Sequence, residues 1–279
     1  MNQAPSLADW ATDRGDKWRD HLDDLEAELE PLNTPLAEAL ALAHPARIAD
    51  LGCGGGGASR GIFDVAPKGS EVIGFDVSPS LIEAARQRNS DRSDRLSFGV
   101  ADLQTASPPS DRFDRLMSRF GVMFFPEPKA AFRNLARWLK PDGRFAFAVW
   151  AAPEENLWLS KLKQVVANYV DVPKPEPDAP GPFRYADVST FVSLLSDSGF
   201  ADVQATTWRQ SIPIGGYLPA RQAAEFAVAA FGIGSLLDEL DHATKLIATE
   251  TLADFFREYE TDGVVRMPAA AHIVSGVPA

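Results

Sequence analysis

DLGCGGGGAS, the stretch from Asp50 to Ser59, follows a short apolar run and precedes a helical pattern. Its glycines stand where a strand turns sharply into a helix and where a ligand can approach the main chain. Gly52, Gly54 and Gly57 also satisfy the G-x-G-x-x-G pattern of dinucleotide-binding domains. The stretch therefore predicts a strand, a loop and a helix with a ligand against the loop, and a nicotinamide cofactor is one candidate for that ligand.

Apolar runs and helical patterns alternate on both sides of this loop. The predicted strands cover residues 46–51, 71–76, 96–100, 113–118, 144–150, 202–212 and 264–274. The predicted helices between them cover residues 129–139, 156–169, 187–196 and, as two or more helices, 221–259. Strands separated by helices form right-handed crossovers in a parallel sheet. The predicted fold class is therefore α/β with a doubly wound sheet.

The predicted organisation is one domain, residues 1–279, whose core is interrupted by helical segments. Residues 1–45 form an N-terminal helical cover, in which Thr34 before Pro35 looks like a helix cap and two short helices precede the first strand. Residues 46–150 form the cofactor-binding core, and residues 184–216 and 261–279 complete it. The insertions, residues 151–183 and 217–260, are expected to form a lid over the substrate.

The amino-acid composition limits the kinds of molecule that the protein is expected to bind. The 27 Lys and Arg residues against 39 Asp and Glu residues leave a net charge of −12, which disfavours nucleic acid. One cysteine allows no internal disulfide, and neither a secretory signal nor an apolar run long enough for a membrane span is evident. We expect a cytoplasmic protein that binds a small molecule, with a homodimer as its oligomer and no metal site.

Acidic residues follow the second and third predicted strands as well as the first. Asp76 ends the second strand and Asp102 follows the third, so both join Asp50 at the carboxyl edge where open α/β sheets bind ligands. Asp76 is placed to accept hydrogen bonds from ribose hydroxyls, and Asp102 from an exocyclic adenine amine beside the amide of Leu103. The alternative is that all three carboxylates cap turns or helices.

Several segments together resemble the class I S-adenosylmethionine-dependent methyltransferases, in the branch similar to ubiquinone and menaquinone biosynthesis methyltransferases. They are ADLGCGGGGAS, GFDVSPSLIEAAR, VADLQ, the run from FDRLMSRF to FAFAVW, PFRYADVSTFVSLLSDSGFADV and GVVRMPAAAHIVSG. The resemblance implies S-adenosylmethionine as cofactor and a seven-stranded, mostly parallel sheet with an antiparallel last strand beside the fifth. The cofactor-binding candidates are then Asp50, Gly52, Cys53, Gly54, Asp76, Val77, Ala101, Asp102, Leu103, Ser118 and Trp18.

Methyl transfer from a sulfonium needs alignment in a dry pocket more than it needs a nucleophilic residue. If the acceptor requires a base, His21 and His242 lie in segments that could reach the site mouth. Arg119 is a third catalytic candidate; it would meet a substrate carboxylate or phenolate, the cofactor's own carboxylate, or a partner in a structural ion pair. The substrate-binding candidates are Arg119, Phe120, Phe124 and Trp150.

The expected function is S-adenosylmethionine-dependent O- or C-methylation of a small molecule in the biosynthesis of a quinone, polyketide or other secondary metabolite. A nicotinamide-dependent oxidoreductase and a cofactor-binding regulator without turnover are the alternatives.

Overall fold

The computed structural model describes residues 7–92, 94–172 and 178–279. Residues 1–6 of the predicted N-terminal cover and residues 173–177 of the first predicted insertion lie outside the described residues. The strands are β1 Arg47–Leu51, β2 Glu71–Asp76, β3 Leu96–Val100, β4 Phe113–Arg119, β5 Leu139–Trp150, β6 Phe200–Pro213, β7 Glu260–Thr261 and β8 Val264–Pro278. The helices are α1 Leu7–Ala11, α2 Asp13–Asp20, α3 Leu22–Leu29, α4 Asn33–Leu40, α5 Gly57–Val65, α6 Pro79–Arg88, α7 Pro128–Ala136, α8 Leu157–Val166, α9 Val188–Ser196, α10 Ala220–Ala230 and α11 His242–Arg257.

One sheet organises the chain, with strand order β3-β2-β1-β4-β5-β8-β6. The first five of these strands are parallel to one another, whereas β8 is antiparallel to both β5 and β6. The short strand β7 pairs only with the start of β8 in the described structure. This confirms the predicted fold class, including the antiparallel last strand beside the fifth.

The central strands are the best-buried part of the sheet. Every residue of β5 from Phe145 to Ala148 is inaccessible to solvent, and so are Leu116 and Met117 of β4. Burial on both faces explains why these strands read as continuous apolar runs rather than as alternating patterns. The carboxyl ends of β1, β2 and β4 therefore lie at one edge of a sheet whose central strands are buried.

Three local predictions were wrong. Thr34 is not a cap, because α4 begins at Asn33 and continues directly from a 3-10 helix over Glu30–Leu32. Four α-helices rather than two precede β1 in the described chain. Leu139 belongs to β5 and not to the preceding helix, since it pairs with Phe113 of β4.

From here on, the N-terminal cover means the three helices α1–α3, a narrower set than the predicted residues 1–45. These helices contact both α6 and the turn after β6. Asp23 of α3 forms an ion pair with Arg88 at the end of α6. The buried carboxylate of Glu28, also on α3, accepts a hydrogen bond of 2.7 Å from the backbone N–H of Gly215. The cover is therefore held between the core and the turn that follows β6.

Candidate active site

A pocket lies between the carboxyl ends of β1, β2 and β4 and the N-terminal cover. The sheet side contributes Gly52, Cys53, Gly54, Asp76, Val77, Leu81, Ala101, Leu103, Arg119, Phe120, Gly121, Phe124 and Phe125. The cover contributes Trp10, Trp18, Leu25, Glu26 and Leu29. The two sides enclose a space whose walls are largely apolar, with a few ionisable groups among them.

The glycine loop has a conformation that side chains would obstruct. Gly52 has φ +71°, and a Cβ built on it would lie 2.9 Å from the Cα of Gly121 at the end of β4. Gly54 has φ +52°, and a Cβ there would project to 3.7 Å from Nε1 of Trp18. Since left-handed backbone is costly for residues with a Cβ, glycine is required at these points. The absent side chain of Gly54 also leaves room between the loop and Trp18.

Asp76 holds the loop from the neighbouring strand. Its Oδ2 accepts the backbone N–H of Gly54 at 2.9 Å, and its Oδ1 accepts that of Ser78 at 2.9 Å. Burial raises the pKa of Asp76, and the N–H donors of Ser78 and Gly54 oppose that rise. Each carboxylate oxygen keeps a further lone pair for a ligand hydroxyl.

A buried ion pair crosses the pocket wall from β4 to the cover. Nη2 of Arg119 donates to Oε2 of Glu26, and Nη1 of Arg119 donates to Oδ1 of Asn33 at 2.9 Å. The other oxygen of Glu26 accepts the backbone N–H of Gly57, at the start of α5, at 3.3 Å. The two charged side chains are only 6% and 13% exposed.

Comparison with known proteins finds a sequence family that matches part of the chain. The sequence family described as "Methyltransferase domain" matches residues 48–143, from β1 into β5. Over these residues the chain is similar to methyltransferases, and the match supports a class I, S-adenosylmethionine-dependent methyltransferase domain. S-adenosylmethionine is the cofactor that this match supports, and the match together with the antiparallel β8 disfavours the nicotinamide-binding alternative.

The names of the curated relatives of this chain give different substrates. Phosphoethanolamine N-methyltransferase 1 of Arabidopsis thaliana is 30% identical over 169 residues, which are 60% of this chain and 31% of the relative. Aklanonic acid methyltransferase of Streptomyces sp. (strain C5) is 35% identical over 122 residues, 41% of this chain and 54% of the relative. The chain thus spans 31% of the length of the first of these relatives and 54% of the second.

Solved structures share the fold at low identity. The [4+2]-cyclase SpnF matches with a TM-score of 0.59 and 16% identity, covering 99% of this chain and 98% of its own. Phosphoethanolamine N-methyltransferase 2 of Haemonchus contortus, in complex with S-adenosyl-L-methionine, matches with a TM-score of 0.53 and 14% identity over 89% of this chain and 53% of its own. These similarities concern the fold alone.

Asp50 and Ser118, which were predicted to bind the cofactor, do not line the pocket. Asp50 is fully buried; its Oδ2 accepts from Oγ of Ser59 at 2.6 Å, and its Oδ1 has no hydrogen-bond partner among the described residues. Burial raises the pKa of Asp50 to about 7. Ser118 donates to the carbonyl of Leu51 at 2.7 Å and accepts the N–H of Gly121 at 3.2 Å. Both residues brace the loop from below.

Asp102 has the turn-capping contacts that its alternative interpretation predicts. Its Oδ1 accepts the backbone N–H of Gln104 at 2.9 Å, and its Oδ2 accepts from Oγ1 of Thr105 at 3.0 Å. The residues on either side, Ala101 and Leu103, line the pocket, but Asp102 does not. Cys53 lines the pocket beside them, and burial raises the pKa of its thiol.

The predicted bases lie away from the pocket. His21 stands at the junction of α2 and α3, and its ring meets Phe226 of α10 edge-on, with centroids 5.9 Å apart. His242 is the exposed first residue of α11. Neither imidazole is among the side chains that line the pocket.

The predicted aromatic residues divide into two groups. Phe120 and Phe124 line the pocket, as does Trp18 from the cover. Trp150 does not line it but stacks on Phe120, with ring centroids 4.0 Å apart and planes at 14°. Phe120 itself adopts φ +68°, a conformation that is costly for a bulky side chain and that recurs at functional sites. Trp150 therefore supports the wall that Phe120 forms.

The predicted lid does not line this pocket. All the lining residues fall between Trp10 and Phe125, so neither predicted insertion contributes one among the described residues. The N-terminal cover lines this side of the pocket instead, and α10 of the second insertion packs against the cover, with Phe226 and Ala230 buried against Leu25. None of the described helices has the length and apolar character needed to cross a bilayer.

Glu26 and Trp10 are pocket residues that the sequence analysis did not select. The signal for Glu26 was its position: it lies four residues after Leu22 and three before Leu29, on the apolar face of α3. A carboxylate on such a face needs a buried partner. Trp10 meets Trp18 and Phe124 with ring centroids 5.8 and 4.9 Å away, but nothing in its local pattern distinguishes it from a core residue.

Proposed function

We propose that this chain transfers the methyl group of S-adenosylmethionine to a small-molecule acceptor inside the pocket. The observation that carries the proposal is the convergence of the glycine loop, the Asp76 carboxylate and the aromatic side chains of the cover on one enclosed space. The finer assignment is O- or C-methylation in the biosynthesis of a quinone, polyketide or other secondary metabolite. The homodimer and the cytoplasmic location stay predictions.

The residues present fit the cofactor. Asp76 offers two acceptor oxygens to ribose hydroxyls at the end of β2, and Val77, Ala101 and Leu103 supply apolar walls for the adenine. Gly54 leaves open the space that its Cβ would enter beneath Trp18. We assign the adenosine to this side of the pocket, and Asp50 and Ser118 become supports of the loop rather than contacts.

The bound cofactor supplies an activated methyl group on a positively charged sulfur. The chain's own contribution is to align the cofactor with the acceptor, to enclose both, and to surround the charged sulfur with aromatic faces. Aromatic faces at Trp10, Trp18, Phe120 and Phe124 stabilise a nearby cation and keep water out. Holding two reactants in line can supply about 7–11 kcal/mol of the barrier. A pocket with no histidine among its described lining residues is compatible with this kind of catalysis.

The pocket walls favour an aromatic, largely apolar acceptor. Phosphoethanolamine, named as the substrate of several relatives, carries a phosphate that needs several cationic or N–H donors. Arg119 is the single cation among the described lining residues, and it already donates to Glu26 and Asn33. Apolar walls suit an acceptor without a phosphate better. This contrast supports the quinone or polyketide class.

Binding and turnover test the proposal separately. Isothermal titration should show binding of S-adenosylhomocysteine and none of NADH. Labelled methyl from S-adenosylmethionine should appear on phenolic or quinone acceptors and not on phosphoethanolamine. Binding without transfer to any acceptor of a broad panel would favour the cofactor-binding regulator.

The Asp76→Ala variant tests the assignment of the ribose. Removing two charge-assisted hydrogen bonds, each worth about 1.5–3 kcal/mol, should lower the affinity for S-adenosylhomocysteine by about 100-fold or more. Asp142→Ala, which removes an exposed carboxylate of β5, is the matched control and should bind normally. Unchanged affinity in Asp76→Ala, with cooperative unfolding retained, would contradict the assignment.

A further inference from the structure

Strand β6 forms one edge of the sheet, and no other described strand pairs with its outer side. After an irregularity between Ala201 and Gln204, the strand pairs with β8 in unbroken register as far as Pro213. Six of the eight residues from Gln204 to Ser211 are exposed, so no described helix covers this run. Natural proteins usually cover or interrupt an edge of this length, because its unpaired backbone groups can bind another strand.

Backbone hydrogen bonds show which groups of β6 point away from the sheet. Ile214, directly after β6, donates its N–H to the carbonyl of Val265 on β8 at 3.0 Å. Because these groups alternate in direction along a strand, even-numbered residues of the run face β8 and odd-numbered residues face outward. The register agrees, since Arg209 pairs with Ala270, whose carbonyl faces β5 and accepts the N–H of Ala151 at 3.0 Å. The outward groups, which we call the free edge, are those of Ala205, Thr207, Arg209 and Ser211.

The charge of the free edge favours a second copy of this chain as its partner. The whole chain has a net charge of −12, so two copies repel each other over most of their surfaces. Residues 203–213 contain no carboxylate, and their one charged side chain is Arg209. Glu155 of the same chain balances that charge, with 2.5 Å between Arg209 Nε and Glu155 Oε2. Two copies can therefore approach each other along this edge without strong repulsion.

The geometry of the free edge is also self-complementary. A two-fold axis at Thr207 sets Thr207 opposite its symmetry mate and Ala205 opposite Arg209 of the other copy. Each of these antiparallel pairs exchanges two backbone hydrogen bonds, which gives about six in all. The two Arg209 side chains are then about 14 Å apart along the strands, whereas an axis at Arg209 would set them directly opposite each other. The register centred on Thr207 is therefore the favoured one.

We propose that this chain forms a two-fold dimer in which the free edges of two copies pair as antiparallel strands. The sheet of one copy then continues into the sheet of the other. The inference does not rest on the proposed function, because no residue of the free edge lines the pocket.

Sedimentation velocity and oxidation of one engineered cysteine test the dimer and its register. Wild type at increasing concentration should show a species with the mass of two chains. Thr207→Cys places a thiol opposite its mate, where the two Cα atoms lie about 5.5 Å apart, within reach of a disulfide. Mild oxidation should convert most of this variant to a covalent dimer. The one native cysteine, Cys53, is buried and should add no cross-link.

Ala205→Cys is the matched control for the oxidation. It places an exposed thiol on the same edge, but this thiol faces Arg209 of the other copy and lies about 14 Å along the strands from its mate. Oxidation should therefore leave Ala205→Cys without a cross-link. Equal cross-linking of the two variants would mean that the thiols meet by random collision, and the proposed register would be wrong.

Ala205→Pro tests the backbone bonds directly. Proline removes an outward N–H from each copy and no bond to β8, and edge strands tolerate proline at such positions. The two lost hydrogen bonds should weaken the dimer by about tenfold or more. Ala205→Thr keeps the N–H and should leave the dimer unchanged. Urea unfolding checks that both variants stay folded, and if the proline variant does not, the oxidation experiment decides alone.

Three outcomes would overturn the inference. A wild type that is monomeric at every concentration excludes the dimer. A dimer that Thr207→Cys does not cross-link, or that a folded Ala205→Pro leaves at full strength, uses another surface. None of these measurements involves the cofactor, so each outcome leaves the proposed function as it stands.

Discussion

The two walls of the pocket are built by different means. The sheet-side loop around Gly52 and Gly54 is shaped by main-chain geometry, and its contacts depend on side chains being absent. The N-terminal cover acts through side chains, with indoles at Trp10 and Trp18 and a carboxylate at Glu26. Substitutions in the loop should therefore act through steric strain, whereas those in the cover should act through lost polar and aromatic contacts.

The largest expected effect comes from adding one methyl group to the loop. In Gly52→Ala the new Cβ would face the Gly121 Cα at 2.9 Å, on a backbone with φ +71°. Left-handed strain of about 1–2 kcal/mol and overpacking of about 1–3 kcal/mol should together lower the unfolding free energy by about 3 kcal/mol. Affinity for S-adenosylhomocysteine should be lost as the loop shifts. Urea unfolding and titration measure the two effects.

Gly263→Ala separates strain from crowding. Gly263 has φ +74°, almost the same as Gly52, but a Cβ there would meet nothing within 4 Å. This variant should lose about 1–2 kcal/mol and bind the cofactor product normally. If the two variants proved equally stable and equally competent in binding, close contact between the loop and β4 would not be what shapes this wall.

The unfolding free energy should depend on pH, because the cover contains a buried carboxyl group, that of Glu28. Burial raises the pKa of Glu28 to about 8 from an ordinary value of 4.5. The folded state then binds more protons than the unfolded state between these values, so stability falls as pH rises from about 4.5 to about 8. A single group contributes at most about 1.4 kcal/mol per pH unit. Asp50, with a pKa of about 7, acts in the same direction over a lower range.

Glu28→Gln should flatten this dependence above pH 7, because the amide oxygen still accepts from Gly215 N–H but no longer titrates. Urea unfolding at pH 6, 7 and 8 is the measurement. Glu258→Gln removes an exposed carboxylate just after α11 and serves as the control. A wild type whose stability is constant over this range would show that Glu28 is not a buried acid holding the cover.

The difference between the walls also explains what could be predicted from the sequence. The loop was predicted because glycine at positions such as Gly52 reflects a backbone requirement that is visible in one dimension. The parallel sheet followed from the alternation of strands and helices, and the antiparallel last strand was implied by the family resemblance that several motifs carry together. Asp76 was selected because it ends a strand, and a strand end has a known place in this kind of sheet.

The cover could not be predicted in the same way. Glu26 belongs to an ordinary amphipathic helix, and its partner Arg119 lies 93 positions away in sequence, so only the packing of α3 on β4 brings them together. His21 and His242 were selected because imidazole can act as a base and because their segments could reach the mouth of the site, but neither residue lines the pocket. The insertions that were predicted to form a lid contribute no lining residue among the described ones, and a single sequence does not show which helices lie nearest the sheet.

Replacing Asp102 should have the smallest effect of these substitutions. It tests whether a side chain or the backbone holds the adenine on this side of the pocket. The Asp102 carboxylate caps a turn through the Gln104 N–H and the Thr105 hydroxyl, yet each oxygen keeps a lone pair for a further donor. Asp102→Ala should lower the affinity for S-adenosylhomocysteine by about tenfold if one charge-assisted hydrogen bond to the ligand is lost.

The hypoxanthine analogue, S-inosylhomocysteine, distinguishes direct contact from turn capping, because it replaces the ligand amine with a carbonyl. A carboxylate that accepts from the amine makes wild type prefer the adenine ligand by about tenfold, and the alanine variant should lose that preference. A preference that persists in Asp102→Ala would mean that the carboxylate only maintains the turn. The adenine would then be held by main-chain and apolar groups, such as those of Leu103, and this side of the pocket would depend on backbone shape throughout.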